Sequence, residues 1–434
     1  MRAPRDVLIA ALVAAGFGLT LYVFHPGVMT YDAKYVYEAI FAPQPGDWQS
    51  PLMVTVWRWI DPLAPGAASM FLLTVTLYWS AFAILAFSLA RRSLPVAILL
   101  PVAAALPPAF TLVGIIWRDV LFAAAWILAA ALAWAAADRS KAARAGLTIA
   151  ALALVTFGML LRPNALFAAP VLAIHALWPQ TFRLKRAALL YLPAAVLFYA
   201  SVPLVYYVAL DAKRENPLHS VFVFDLGGIS HFAKENAFPV TWAPEQNALV
   251  LEHCYQPTLW DLYWNRDPCK FVMAKLEGEK IFGTPALSDA WRRAILRHPL
   301  AYLQHRAAFT GTFLLGDNLT LWTLDVEDPR KYLYTDRPAF MTLRAIDDAL
   351  KHTPLMRAGT WFMLDLLIAA LAWRRRASAA GAFAIGACGS AAIYILTFSI
   401  VGVAPDFRYA YWGVLAALAS AAVLLATRRG ERAV

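Results

Sequence analysis

The sequence predicts an all-α polytopic membrane protein, and three observations carry that expectation. The 434 residues are 61% hydrophobic and only 15% charged, with a mean hydropathy of +0.57, a balance foreign to ordinary soluble domains. Apolar runs recur at the roughly 17–25 residues needed to cross about 30 Å of hydrocarbon as helix. Lysine and arginine collect on alternate connections between those runs, the pattern of positive-inside topology.

About ten transmembrane helices can be drawn in order, at 7–24, 68–90, 94–116, 119–137, 145–161, 165–179, 187–209, 356–373, 379–401 and 409–427. The sixth is short and ends at Trp178-Pro179, so its limits are loose. Residues 1–209 form an N-terminal bundle of seven spans, with a first outer loop at 25–67 containing a juxtamembrane helix. Residues 210–355 form a mainly helical extracytoplasmic domain between spans seven and eight, and 356–434 a C-terminal three-span bundle. The basic connections hold Arg2/Arg5, Arg91/Arg92, Arg139/Lys141/Arg144, Arg183/Lys185/Arg186, Arg374–Arg376 and Arg428/Arg429/Arg432. They place both termini on the cytoplasmic side and 210–355 outside. The formal charge of +10 then reports topology and contact with anionic membrane lipids, not nucleic acid. The first run has a basic start like a signal peptide but no small-x-small cleavage site, and reads as an uncleaved anchor.

Within 210–355, "HSVFVFDLGGI" alternates like a strand and ends in a Gly-Gly turn. "ALSDAWRRAILRHPLAYLQHRAAFTGTFLL" reads as helix, with Ser288-Asp289 as N-cap and Pro299 as a break or kink. Residues 300–316 are apolar enough to lie on the membrane or re-enter it, although His305 and Arg306 interrupt them. Cys254 and Cys269 form a disulfide in an oxidising outer compartment, the alternative being two unpaired thiols. Two cysteines make no zinc ligand set, and Cys388 reads as a small apolar filler.

The outer turns carry the candidate chemistry. "GIIWRDVLF" places Arg118 and Asp119 between runs three and four, and "LLRPNAL" places Arg162 and Asn164 between five and six. "GVAPDFRYAYW" places Asp406 and Arg408 before the last run, and the first outer loop adds Asp32, Lys34, Glu38 and Asp47. Charge so close to hydrocarbon is paired, hydrated in a cavity or used. Arginine's planar fork suits phosphate oxygens, and a carboxylate beside it can act as general base. Each residue also has a structural alternative. Arg118 and Asp119 can make an interfacial pair or start a helix, Arg162 can reach the headgroups, and Arg408 can pair with Asp406. Lys34 and Glu38 have the spacing of a simple surface pair. Asp365 stands alone in the middle of an apolar run.

These stretches resemble the GT-C superfamily, bacterial integral-membrane glycosyltransferases that use polyprenyl-phosphate-linked sugars. "HPGVMTYDAKYVYEAI…GDWQSPLM" is similar to the family's first outer loop, and "WRDVLFAA" to its aromatic-(Lys/Arg)-Asp opening of the fourth span. "LRPNALFAAP" and "APDFRYAYW" are similar to its Arg-x-Asn turn and its Asp-x-Arg-Tyr stretch. Gln49-Ser50-Pro51 departs from the family's His-Pro-Pro, so no histidine function is expected there. The resemblance implies a GT-C-like bundle in the bacterial inner membrane, with Asp32 as catalytic base and Asp119 assisting. It implies Arg118, Arg162 and Arg408, with Asn164 and Asp406, around the donor phosphate. The implied partners are a polyprenyl-phosphate-linked sugar donor and an envelope glycan, lipid or protein acceptor, joined by an inverting transfer on the outer face. Acids and phosphate suit a divalent cation such as Mg or Mn, although no dedicated cage is legible. The rival reading is a lipid or glycan transporter or flippase without transferase activity, and a silent envelope scaffold is a third.

Overall fold

A computed structural model describes residues 4–317 and 337–427. Every regular element among them is a helix, and the only extended pairings are two isolated β-bridges. Seven helices are long and apolar enough to cross a membrane: Pro4–Phe24, Ala67–Leu89, Arg118–Ala136, Lys141–Leu161, Leu184–Ala209, Ala379–Val401 and Phe407–Ala426. An eighth span exists if Leu94–Ala104 and Pro107–Val113, bent by 50°, are taken as one. The break follows from Pro107-Pro108, which holds Leu106 in extended backbone and removes the amides that would continue the helix.

The count of ten is therefore not what these helices show. Run 165–179 divides into a short 3-10 turn, Pro163–Phe167, and a nine-residue helix, Ala169–Leu177, only about 14 Å long. Run 356–373 is the sixteen-residue helix Ala358–Trp373, about 24 Å. Hydropathy reports that a stretch is apolar, not that its helix is continuous.

The chain separates into two compact units, Met1–Lys213 with Leu319–Ile395 and Phe407–Val434, and Arg214–Asn318 with Leu396–Asp406. The helix Pro338–Leu350 thus groups with the bundle, fastened by the Arg337 guanidinium on the Tyr22 carbonyl at 2.8 Å. In the first unit Arg118–Ala136 is the central helix, with 83% of its span buried. Its alanine runs, Ala123–Ala125 and Ala129–Ala131, let neighbouring backbones approach closely where dispersion must replace the hydrophobic effect. Leu184–Ala209 is peripheral, with none of its span buried. Contacts join several of the basic connections to one another. Arg92 pairs with Asp138 at 3.0 Å, the Phe182 amide donates to the Arg376 carbonyl, and Arg375 donates to Thr427 Oγ1 at 2.6 Å.

The second unit holds the helices Leu218–Ala233, Pro244–Glu252, Phe271–Gly278, Pro285–Arg297 and Pro299–Leu315, with a Cys254–Cys269 disulfide. "HSVFVFDLGGI" is helical, not a strand and turn. Every residue from Ser220 to Ser230 is buried, so the helix is apolar all round and has no 3.6-residue period to read. Its glycine pair is packing, not turn. Tyr263 lies against Gly227 and His305 against Gly228, each where a Cβ would stand. Ser288 and Asp289 do not cap the following helix, which starts at Pro285 behind an extended Thr284, proline being favoured in a first turn. Pro299 does break it, opening a new helix after His298.

Asp225, fully buried, organises this unit. Arg306 Nε lies 2.7 Å and His305 Nε2 3.0 Å from its Oδ1, while Trp291 Nε1 donates to Oδ2 at 2.7 Å. His305 Nδ1 faces the Tyr255 hydroxyl at 3.0 Å. Asp225 and Arg306 cancel each other, so a proton on His305 would leave one net buried charge. Burial lowers the His305 pKa, against the pull of Asp225 and with the push of Arg306.

Two predictions follow from this unit. Gly→Ala in a helix interior ordinarily stabilises by about 1 kcal/mol. Here Gly227→Ala and Gly228→Ala should instead destabilise by about 1–3 kcal/mol through overpacking. Gly311→Ala, whose Cβ meets nothing within 4 Å, should be neutral or stabilising. Melting of the three variants in detergent decides it, and equal effects at all three would remove the packing argument. Because the folded His305 pKa lies below the unfolded value of 6.5, its contribution is intact above about pH 6.5 and declines as pH falls toward the folded pKa. Wild-type melting should drop between pH 7.5 and 5.5, and His305→Gln should flatten that drop. An unchanged slope would acquit His305.

Candidate functional site

The site is built in the first unit where several helices end together. After Pro4–Phe24 the chain turns through Gly27, whose φ of +114° is open to glycine and strained for other residues. Val28 then bridges to Ile115, its amide donating to the Gly114 carbonyl at 2.9 Å while the Ile116 amide donates back at 3.0 Å. This bridge brings Thr30 beside Trp117. Thr30 caps the helix Tyr31–Ala39, accepting from the Ala33 amide, and its hydroxyl also accepts from Trp117 Nε1 at 2.7 Å. Asp32 and Asp119 thus both sit in first turns, where the helix dipole favours a carboxylate.

Two arginines close on these acids from elsewhere in the chain. Arg162, at the end of Lys141–Leu161, places Nη2 2.5 Å from Asp119 Oδ1, with both side chains almost wholly buried. Its Nε donates to the Tyr394 hydroxyl at 3.3 Å, and its guanidinium lies over the Tyr409 ring. Arg408, in the 3-10 turn Phe407–Ala410 that opens the last span, places Nη1 2.7 Å from Asp32 Oδ2 and Nε 3.9 Å from Asp119 Oδ2. It lies 4.4 Å from the centroid of the Trp117 ring. Gln49 Nε2 approaches Asp32 Oδ1 at 3.4 Å, and Arg118 Nη1 reaches the Trp48 carbonyl at 3.3 Å.

Burial opposes ionisation of Asp32, but Arg408 first, then Arg118 and Arg162, hold its carboxyl below the usual carboxylate range. It remains 38% exposed, whereas Asp119 is 3% exposed. Three guanidiniums surround these two carboxylates, and Asp32 is the more open of the two acids.

The structure thus brings together Asp32, Asp119, Arg162 and Arg408, with Arg118 acting on the same charge. Asn164 lies in the 3-10 turn directly after Arg162. Asp406 belongs to the second unit. Asp47 accepts from the Tyr207 hydroxyl at 2.7 Å, and Lys34–Glu38 is an exposed 3.9 Å pair. Sequence reasoning passed over the aromatic walls. Trp117 could have been flagged beside Arg118, but Tyr394 lies inside an apolar span with no local signal. Among the described residues no three His, Cys, Asp or Glu side chains gather as a metal site. Asp32 and Asp119 each face a guanidinium. Asp365 is sealed in Ala358–Trp373 against Gly413 and the Cys388 thiol.

No family model, curated protein or solved structure matches this chain.

Removing one partner of a buried ion pair strands the other. Arg162→Ala should therefore cost about 3–5 kcal/mol of bundle stability, and Asp119→Ala a similar amount. The double variant should lose clearly less than their sum. Unfolding in detergent gives the cycle, and strict additivity would mean the two side chains do not support each other.

Proposed function

We propose that the chain is a membrane glycosyltransferase moving a sugar from a polyprenyl-phosphate carrier to an envelope acceptor, with Asp32 as general base. The observation that supports this best is the pairing of a half-exposed carboxylate with a cluster of arginines at the ends of apolar helices. A lipid phosphate resides at such a depth, its tail in hydrocarbon and its charge among guanidiniums. The bacterial inner membrane, cytoplasmic termini and an extracytoplasmic second unit belong to the same proposal, and a disulfide in that unit supports it.

Asp32 receives the proton of the acceptor hydroxyl, whose oxygen attacks the anomeric carbon from the face opposite the phosphate. The bond from that carbon to the phosphate oxygen breaks, and its electron pair leaves with the lipid phosphate. Arg162, Arg118 and Arg408 stabilise the charge that gathers on that phosphate, electrostatic help of the oxyanion-hole kind. Asp119 keeps Arg162 ionised and aimed. Of the tryptophans in the second unit, Trp291 and Trp242 spend their ring N–H on Asp225 and Asn236. Trp264 is stacked on Trp260 and 42% exposed.

Purified protein in nanodiscs, incubated with polyprenyl-phosphate sugars and envelope acceptors, tests the proposal. Asp32→Asn should lower kcat by about 10²–10⁴ with little change in KM for the donor. Arg118→Gln should mainly raise that KM. Transfer that survives Asp32→Asn would remove Asp32 from the role of base. No turnover with any donor, together with flux of the lipid-linked sugar across liposomes, would favour the transporter.

A further inference from the structure

The second unit carries an apolar helix face that the unit itself does not cover. Pro299–Leu315 buries Ala301, His305, Arg306, Phe309 and Phe313, while Leu300, Leu303 and Leu315 stand 74%, 60% and 67% exposed. Exposed leucines alone would say nothing about an occupant. What identifies one is the company this helix keeps. The same unit includes Leu396–Asp406, and Leu396–Val401 is the last part of the apolar helix Ala379–Val401, long enough to cross a bilayer.

The contacts between these two segments set a depth scale. Arg306 Nη1 donates to the Gly402 carbonyl, one residue beyond the end of the span, at 2.8 Å. The Phe309 ring lies where a Cβ on Gly402 would stand. One turn further on, Phe313 meets Phe398, one turn back inside the span, with ring centroids 5.6 Å apart. The helix therefore runs antiparallel to the span, from its end inward. At 1.5 Å per residue, Leu315 lies about 9 Å further along the helix axis than Phe309. Leu396 and Ile400 on the span end are themselves 55% and 62% exposed, as lipid-facing positions are.

The sequence changes character at the same level. Arg306 is the last ionisable residue before the stretch "AAFTGTFLLG" at 307–316, and Asp317 follows it. Arg306 itself is paired with Asp225, which makes its presence at the hydrocarbon edge affordable. Being helical, 307–315 pairs its amides internally and its carbonyls as far as Thr312, which accepts from the Gly316 amide, so most of its backbone meets the condition for entering lipid.

We propose that Ala307–Leu315 is embedded in the bilayer beside the end of Ala379–Val401, its outward face against lipid acyl chains, so that the second unit is a membrane-inserted element. This inference is independent of any catalytic role. The test uses full-length protein in proteoliposomes, with Cys388→Ser removing the free thiol and the Cys254–Cys269 disulfide retained. Single cysteines at Leu300, Gly311 and Leu315 receive a nitroxide, with Arg292→Cys as the exposed reference. Spin labels at 311 and 315 should collide several-fold more often with oxygen than with a water-soluble nickel chelate, and the ratio should reverse at 292. Gly311→Cys points into open space, so it reports even if Leu315→Cys fails to fold. Chelate access at 311 equal to that at 292 would overturn the proposal.

Discussion

Charge at the edge of hydrocarbon must be neutralised in place, and the first unit is arranged around that constraint. Asp119 opens the most buried helix of the bundle, where neither water nor lipid headgroups can attend it. Its partner Arg162 comes from the end of a neighbouring span, and Arg408 approaches from the start of the last. Three helix ends are thereby fixed relative to one another by charge that none of them could hold alone. A lone carboxylate or guanidinium here would be strongly destabilising, so the groups stabilise the bundle mainly by sparing one another that penalty.

Asp32 is the residue for which this arrangement is incomplete. Its Arg408 partner also lies within reach of Asp119 and over the Trp117 ring, so one guanidinium serves two acids and an aromatic face. In the proposed reaction an incoming lipid phosphate would compete for Arg408. If it wins, Asp32 loses its strongest opposite charge, its pKa rises toward a useful range, and its base strength increases. The resting ion pair would then keep the acid quiet until a donor is bound. In that proposal the order of events would follow from electrostatics alone.

How much of this was legible in the sequence depends on where each signal lives. Apolar length and basic connections revealed the helical class, because both are local sums over composition. The tight outer turns singled out Asp32, Asp119, Arg162 and Arg408 one at a time, because charge beside hydrocarbon is itself a local anomaly. Their mutual distances were not legible. The bonds join positions 32 and 408, or 119 and 162, and the Val28–Ile115 bridge that sets their register leaves no pattern in the sequence. The helix through Asp225 was misread for the opposite reason. A segment buried on every side has no period, and two glycines that admit Tyr263 and His305 look the same as two glycines that make a turn.

The two acid-arginine clusters share a design and differ in one respect that bears on function. Asp225 is wholly enclosed and takes Arg306, His305 and Trp291 on its two oxygens. With two ion-pair partners, one hydrogen bond and no access to solvent, it cannot meet a substrate, and its service is to hold helices together. Asp32 has one close guanidinium, a distant amide from Gln49 and more than a third of its side chain open. Clustering and burial alone would rank Asp225 above Asp32 as a reactive group. Chemistry ranks them the other way, because a general base must meet its proton donor and must have a lone pair to offer. By that criterion the half-exposed acid at the helix ends is the reactive candidate, and the buried one is scaffold.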